Sequence, residues 1–147
     1  MLKPVADLSE LIRETQNDAQ NTAFVCSLGW VNKGLAEKVR AIANLDLGGY
    51  EHIADSYFLK HVWAHHSDQI REAKRGQTAI SLADLELLPL IFEQPEQLSY
   101  LFEKGKHRFV FEKTVGKTRF TYIAEARIGK FKKCCAITLY ARPVKGA

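Results

Sequence analysis

Three histidines, His61, His65 and His66, stand within six residues of one another. Imidazole is the side chain whose ordinary pKa lies nearest neutral pH, so clustered histidines can take up and release protons under physiological conditions. The cluster therefore predicts proton-transfer chemistry, with one imidazole acting as a general base and a second as a general acid.

The positive charge of the chain is concentrated in its C-terminal third. Residues 1–99 contain 9 Lys/Arg and 14 Asp/Glu, a formal charge of −5, whereas residues 100–147 contain 12 and 3, a formal charge of +9. Such a cationic region is typical of a surface that binds polyanions. RNA is a polyanion that acid–base chemistry alone can cleave, because its own 2′-hydroxyl is the nucleophile. The histidines and the basic region together favour a metal-independent ribonuclease. The alternative is that the lysines have no ligand and merely keep an exposed sheet face soluble.

The histidines also raise the question of a metal site, because His61 and His65 have the HxxxH spacing of many metal ligands. However, Val62 stands where a zinc-protease motif requires glutamate, and no cysteine lies nearby to complete a structural zinc site. We therefore expect no metal ion and no other cofactor. A metal-dependent hydrolase and a surface cluster without a function are the alternatives at this point. His52 and His107 stand alone and are expected to be structural.

Length and composition indicate a globular protein. The 147 residues and an apolar content of 46% fit one domain that buries about two-thirds of its unfolded surface. No stretch is long and apolar enough to span a bilayer, and the first residues lack the apolar core of a signal peptide, so we expect a cytoplasmic protein without membrane contact. Three cysteines, two of them adjacent at Cys134 and Cys135, do not form a disulfide framework and agree with a reducing compartment.

Helical patterns dominate the first half of the chain. The periodic segments cover residues 8–15, 32–48 and 55–66, and a further short helix follows a capping box formed by Ser81 and Asp84, with a break at Pro89. The third of these helices carries the histidine cluster.

After Pro95 the pattern changes to β-forming residues separated by glycine turns. The predicted strands cover residues 100–102, 109–111, 119–123 and 135–140. Helices followed by strands predict an α+β fold, in which N-terminal helices pack on a four-stranded antiparallel meander. We assign residues 1–50 to a helical N-terminal region and residues 51–147 to an α+β domain, both within one compact unit.

Several short elements then occur in a characteristic order: HVWAHH from His61, EAKRGQTAIS from Glu72, then Asp84, Pro89 and Pro95, and TLY from Thr138. In this order the chain resembles the barnase–EndoU–colicin–RelE-like nuclease domains found at the C-terminus of phage Mu-type head morphogenesis proteins and in polymorphic bacterial toxins. The resemblance covers residues 55–142. It implies N-terminal helices on a four-stranded antiparallel sheet. It also implies RNA cleavage by internal transesterification, which leaves a 2′,3′-cyclic phosphate and a 5′-hydroxyl.

The resemblance also implies a set of site residues. The catalytic matches are His61, His66, Arg75, Thr138 and Tyr140, with His65 and Gln77 as less certain ones. A neutral His61 would take the 2′-hydroxyl proton, and a second histidine or a lysine would protonate the leaving oxygen. His66 fits the second position better than His65, because a small residue follows it.

The polar pair on the last strand agrees with a role in the site. Thr138 and Tyr140 are two residues apart, so they share one sheet face, opposite Ile137 and Leu139. The hydroxyls of Thr138 and Tyr140, together with the guanidinium of Arg75, would donate to the charged pentavalent phosphorane.

Binding of the substrate would depend on the basic region, through contacts that weaken with salt. The residues expected to bind RNA, for which a tRNA is one candidate, are Lys113, Lys117, Arg119, Lys130, Lys132 and Lys133. The toxin resemblance implies an acidic immunity protein that covers His61 and the surface from Lys130 to Lys133. The main alternative is a non-catalytic basic module that binds RNA or a protein. Convergence of His61, a second histidine, Arg75 and Thr138 on one cleft would discriminate against it.

Overall fold

Seven strands form one mixed sheet in the part of the chain that the structure, a computed structural model, describes, namely residues 2–17, 22–129 and 131–144. The elements are β1 (Lys3–Pro4), α1 (Leu8–Asn17), β2 (Phe24–Trp30), α2 (Lys33–Ala43), β3 (Glu51–Asp55), α3 (Ser56–His66), α4 (Gln69–Lys74), α5 (Leu82–Leu85), α6 (Leu88–Glu93), β4 (Gln97–Glu103), β5 (Lys106–Val115), β6 (Thr118–Arg127) and β7 (Lys133–Pro143). The strand order is β1-β2-β3-β7-β6-β5-β4.

The predicted α+β class is confirmed, but the predicted four-stranded antiparallel sheet is wrong. Strands β4 to β7 do pair as an antiparallel meander. The sheet continues beyond them, because β3 pairs in parallel with β7, β2 lies antiparallel to β3, and β1 pairs in parallel with β2. Region 1–50, predicted as helical, therefore contributes β1 and β2 as well as α1 and α2. Strands and helices alternate there, and the helical periodicity on either side of β1 and β2 led to the prediction of helices alone.

The helices begin where the sequence offers capping side chains. Asn32 Oδ1 accepts from the Leu35 amide at 2.7 Å at the start of α2. The capping box predicted at Ser81 is present: the Ser81 amide donates to Asp84 Oδ2 at 2.9 Å and the Asp84 amide donates to Ser81 Oγ at 3.2 Å. A second short helix, α6, follows with Pro89 in its first turn. These local signals were therefore sufficient to place the helix starts.

The two faces of the meander differ in chemistry. Phe109, Phe111, Phe120 and Tyr122 are buried on one face, where α3 and α6 contribute aromatic side chains such as Phe58. Because successive side chains of a strand point to opposite faces, the intervening residues lie on the other face. That open face carries arginines, carboxylates and hydroxyls, among them Arg108, Glu112, Arg119, Glu125, Thr138 and Tyr140. The core thus lies on the helical side, and the polar side of the sheet remains available.

On the edge away from β6, the second half of β7 is flanked by a helix rather than by a strand. Strand β3 pairs only with the first half of β7, from Lys133 to Cys135, and then continues directly into α3, which packs against β7. Further along, the Thr78 amide donates to the Ala141 carbonyl at 2.7 Å. This arrangement brings the end of α3 and the loop after α4 beside the second half of β7.

The two histidines outside the cluster make contacts within the fold. His52 is buried, its Nε2 lies 2.6 Å from the Tyr122 hydroxyl, and its ring stacks on Phe92 at 3.7 Å. Burial lowers the pKa of His52 to about 3. The Nδ1 of His107 lies 2.7 Å from the Tyr100 hydroxyl. None of the helices in the described ranges is long and apolar enough to cross a membrane.

Candidate active site

The three clustered histidines lie on the last turns of α3. Asp55 caps this helix by accepting from the Phe58 amide at 2.9 Å, and Val62 is among the residues that bury its inner face. The ring centroids of His61 and His65 are 4.8 Å apart, those of His61 and His66 are 5.8 Å apart, and those of His65 and His66 are 6.4 Å apart. His66 therefore stays close to His61 despite the five-residue spacing, because α3 ends at that residue.

The electrostatics of the cluster favour a neutral base. Desolvation, followed by the charges of His65 and His66, lowers the pKa of His61 below its ordinary value. His61 and His65 are exposed, whereas His66 is largely covered. At neutral pH His61 is thus unprotonated and accessible, which are the two properties that a general base requires.

A buried carboxylate connects two of the predicted site residues. Glu72 is completely buried, and its Oε2 lies 3.3 Å from His66 Nδ1 while its Oε1 accepts from Arg75 Nη1 at 3.0 Å. A carboxylate can only accept hydrogen bonds, so the proton of this contact belongs to His66 Nδ1. The contact leaves Nε2 as the His66 nitrogen that is free to act on a ligand.

Local structure explains how Glu72 reaches this position. Asp68 caps α4 by accepting from the Arg71 amide at 3.0 Å. The helix ends at Lys74, and Gly76, two residues later, has a φ of 72° that suits glycine. Arg75 Nη1 also donates to the His65 carbonyl at 2.9 Å. Arg75 thereby satisfies a C-terminal carbonyl of α3 and fixes α4 against the histidine helix.

The last strand completes the site from the opposite side. The Tyr140 ring centroid lies 5.7 Å from that of His66. Thr138, two residues earlier, lies on the same face, while Leu139 between them is fully buried, so the predicted separation of polar and apolar side chains is observed for these three residues. The Thr138 hydroxyl is buried and has no hydrogen-bond partner within the described ranges. It is therefore a donor without an acceptor among the described residues.

Gln77 lies in the loop that follows α4. Its amide donates to the Glu72 carbonyl at 2.7 Å, whereas its side-chain Oε1 is buried and unpartnered among the described atoms. Gln77 thus joins the site through the Glu72 backbone, and its side-chain oxygen is a second polar atom left unsatisfied there.

Glu72 is the site residue that the sequence reasoning did not assign. The family-like segment that begins at Glu72 was recognised only as a stretch of sequence. The usable signal was a glutamate three residues before Arg75 on a helix that follows a histidine cluster, since residues at this spacing share a helix face.

Two of the predicted RNA-binding lysines are held by other groups. Lys113 Nζ donates to the Gln94 carbonyl at 2.7 Å, on the helical side of the sheet. Lys133 Nζ donates to Glu51 and lowers the pKa of that carboxyl. Neither ammonium presents an uncompensated charge to a ligand on the open face.

Arg119 is also neutralised. Its guanidinium donates to Glu96 Oε1 at 3.2 Å, to Thr114 Oγ1 at 3.0 Å and to Gln97 Oε1 at 3.2 Å. A count of basic residues along the sequence treats every cation as free. In the fold, Glu96, which directly precedes β4, takes up part of this charge.

The remaining predicted cations lie in turns. Lys117 and Lys132 are exposed, and neither has an ion-pair partner in the described part of the chain. Lys130 lies outside the described residues. The two exposed lysines of the predicted set therefore lie at opposite ends of β7, because Lys117 adjoins the strand's end and Lys132 its start.

Within the described ranges, no three His, Cys, Asp or Glu side chains are arranged to hold a metal ion. The prediction of a metal-independent site stays a prediction.

The fold and the site define a mixed α+β domain with clustered histidines beside a polar sheet face. A family model described as phage-Barnase-EndoU-ColicinE5/D-RelE like nuclease 3 matches residues 29–142. The chain belongs to this nuclease family, which supports an enzyme that cleaves nucleic acid. The match extends further toward the N-terminus than the sequence resemblance and includes the last two residues of β2 and all of α2 and β3. No curated protein and no solved structure matches the chain.

Proposed function

We propose that this protein is a metal-independent endoribonuclease that cleaves RNA through its 2′-hydroxyl and leaves a 2′,3′-cyclic phosphate. The observation that carries the proposal is the convergence of three imidazoles and Tyr140 within ring distances of 4.8 to 6.4 Å, with a completely buried carboxylate behind His66. Membership of a nuclease family supports the choice of nucleic acid as the substrate.

In the proposed reaction His61 is the base. Its lowered pKa keeps the imidazole neutral near pH 7, so it takes the proton of the 2′-hydroxyl. The 2′-oxygen attacks the adjacent phosphorus, and the bond from phosphorus to the 5′-oxygen breaks. No water and no external nucleophile enters this step.

His66 is the proposed acid. Glu72 holds its Nδ1, so a protonated His66 presents the Nε2 proton to the departing 5′-oxygen. The leaving group thus departs as a neutral 5′-hydroxyl. His65 is the second candidate for this role, since its ring is the nearest to that of His61.

Negative charge that develops on the phosphorane requires fixed donors. The Thr138 hydroxyl is buried and has no partner in the described structure, so once the side chains that cover it move aside it can donate to a phosphoryl oxygen without giving up an existing bond. Tyr140 presents its hydroxyl from the same face. Arg75 has an exposed side chain and keeps guanidinium donors beyond those bound to Glu72 and the His65 carbonyl.

The proposal includes two classes of partner. RNA, for which a structured RNA such as tRNA is one candidate, is the substrate, and Lys117 and Lys132 supply uncompensated charge for its backbone. An acidic immunity protein is proposed to cover His61 and the turn that contains Lys132. Long-range attraction between opposite charges would speed its association.

The test is cleavage of total RNA by purified protein in EDTA, with sequencing of the cut ends. We expect 5′-hydroxyl and 2′,3′-cyclic phosphate ends, and a loss of about 10²- to 10⁴-fold in rate for His61→Ala. His107→Gln is the control, because His107 lies on β5, two strands away from β7. The rate should also fall as the pH decreases through the pKa of His61, which desolvation holds below the ordinary value of a histidine, because the base then gains a proton.

Three outcomes would contradict parts of the proposal. Full activity in a folded His61→Ala variant would exclude His61 as the base. Strong inhibition by EDTA would favour a metal-dependent hydrolase. Salt-dependent RNA binding without any cleavage would favour a non-catalytic basic module on the same fold.

A further inference from the structure

A cleft of about 760 Å³ lies where β7 ends, next to the candidate active site. It is lined by Gly76, Thr114, Arg119, Arg142, Pro143 and Val144. Two arginines and a threonine hydroxyl supply its polar groups, and no aromatic ring is among its lining residues. Its chemistry therefore suits an anion rather than the face of a nucleobase.

The two arginines differ in how much charge they can offer. Arg119 is held by Glu96, Gln97 and Thr114 and is only slightly exposed. Arg142 is exposed and forms no ion pair or side-chain hydrogen bond with the described residues. Arg142 is thus the uncompensated cation of the cleft, and Arg119 forms an ordered wall beside it.

The cleft is continuous with the active site. Arg142 follows Tyr140 by two residues, so the two side chains share the open face with their Cα atoms about 7 Å apart. On the other wall, Gly76 lies between Arg75 and Gln77, and the chain is attached to β7 by the hydrogen bond from Thr78 to Ala141. A strand of RNA with its scissile phosphate at Tyr140 would place a neighbouring phosphate near Arg142.

We propose that this cleft is a binding subsite for the backbone phosphate adjacent to the scissile one, with Arg142 as the residue that contacts it. The assignment rests on the proposed ribonuclease function. A guanidinium presents paired donors that match phosphate oxygens, and such a contact positions the chain without reading its sequence. The subsite would therefore favour longer RNA over a dinucleotide, which has the scissile phosphate alone.

The test compares Arg142→Gln with Lys106→Gln. Lys106 is also exposed, but it begins β5 at the opposite end of the meander from Arg142. Its substitution therefore removes an equal charge away from the cleft. The first measurement is binding of a fully 2′-deoxy single-stranded oligonucleotide, which cannot be cleaved through a 2′-hydroxyl, over a series of salt concentrations. The second is the ratio of kcat/KM for a hexanucleotide RNA to that for a dinucleotide.

We expect Arg142→Gln to reduce the slope of log affinity against log salt by about 0.7, the value for one phosphate contact on a single strand. We also expect the hexanucleotide-to-dinucleotide ratio to fall about 10-fold, whereas Lys106→Gln leaves it unchanged. An unaltered slope, or an equal loss on both substrates, would overturn the subsite.

The two measurements separate this proposal from the function on which it rests. If the wild type cleaves no RNA but Arg142→Gln still lowers the salt slope, the ribonuclease proposal fails and the phosphate contact stands. If the wild type cleaves RNA and the variant keeps the full slope and ratio, the subsite alone is wrong.

Discussion

Glu72 offers the sharpest test of how the site is held together, because one buried carboxylate contacts two predicted catalytic residues. Glu72→Gln keeps the size of the side chain and removes its charge. His66 Nδ1 and Arg75 Nη1 are both donors, and the amide provides a single acceptor oxygen in place of two. One of the two contacts must therefore be lost, unless His66 moves its proton to Nε2 so that Nδ1 accepts from the new amide.

The magnitude follows from burial. A hydrogen bond to a charged group typically contributes about 1.5 to 3 kcal/mol. The Arg75 side chain is 43% exposed, so water replaces part of what it loses, whereas His66 is 13% exposed and less easily hydrated. We expect a loss of about 2 kcal/mol, which for a domain of this size corresponds to a fall in Tm of roughly 4 to 8 °C.

The expected loss of activity is about 10- to 100-fold, by analogy with the loss seen when the partner that orients a metal-binding histidine is removed. Glu72 does not touch the substrate in the proposed reaction and is a positioning residue. Nitrogen chemical shifts of His66 provide a direct readout, because the wild type carries its proton on Nδ1 and the variant should lose that preference. Glu86→Gln, which changes an exposed carboxylate, is the control.

Two results would refute this reasoning. An unchanged Tm would show that the contacts with His66 and Arg75 do not stabilise the fold. A lowered Tm with unchanged kcat and an unchanged His66 tautomer would show that Glu72 has only a structural role.

Two further predictions concern buried polar groups. Because folded His52 has a pKa of about 3 and an unfolded histidine about 6.5, the unfolded chain binds the additional proton between these values, and the free energy of unfolding falls by about 1.4 kcal/mol per pH unit as the pH decreases. Between pH 7 and pH 4.5, the free energy of unfolding of His52→Gln should therefore fall by about 2 to 3 kcal/mol less than that of the wild type, as measured by denaturant unfolding. An identical fall in the variant would show that His52 does not cause it. Thr138→Val removes a buried hydroxyl without a partner, so we expect Tm to stay the same or rise while the cleavage rate falls at least 10-fold; wild-type activity in this variant would exclude the hydroxyl from the site.

The sequence by itself determined the features that depend on near neighbours. The capping box at Ser81, the start of the second helix near residue 32 and the extent of the histidine helix were all predicted and are all observed. The antiparallel pairing of β4 to β7 also followed from short turns between β-forming segments. These features involve residues a few positions apart, so local propensity and hydrogen bonding are enough to specify them.

The charge pattern shows where reading the sequence alone is insufficient. The basic C-terminal third was visible from residue counts, but the neutralisation of Arg119 by Glu96, and of Lys133 by Glu51, was not. Each of these pairs joins residues from different elements. Which cations remain available to a ligand, such as Arg142, depends on the packing of those elements rather than on composition.

Only the tertiary structure decided the size of the sheet and the partner of His66. The contact between Glu51 and Lys133 joins residues 82 positions apart, and the parallel pairing of β3 with β7 places α3 beside the second half of β7. That pairing brings His66 to Tyr140, and the short helix α4 then inserts Glu72 behind it. Parallel strands need a long connection, and this pairing is favoured by the burial of one face of β3 and β7 in the core of the whole domain. No local sequence pattern encodes that choice, because the free energy that favours it comes from the assembled core.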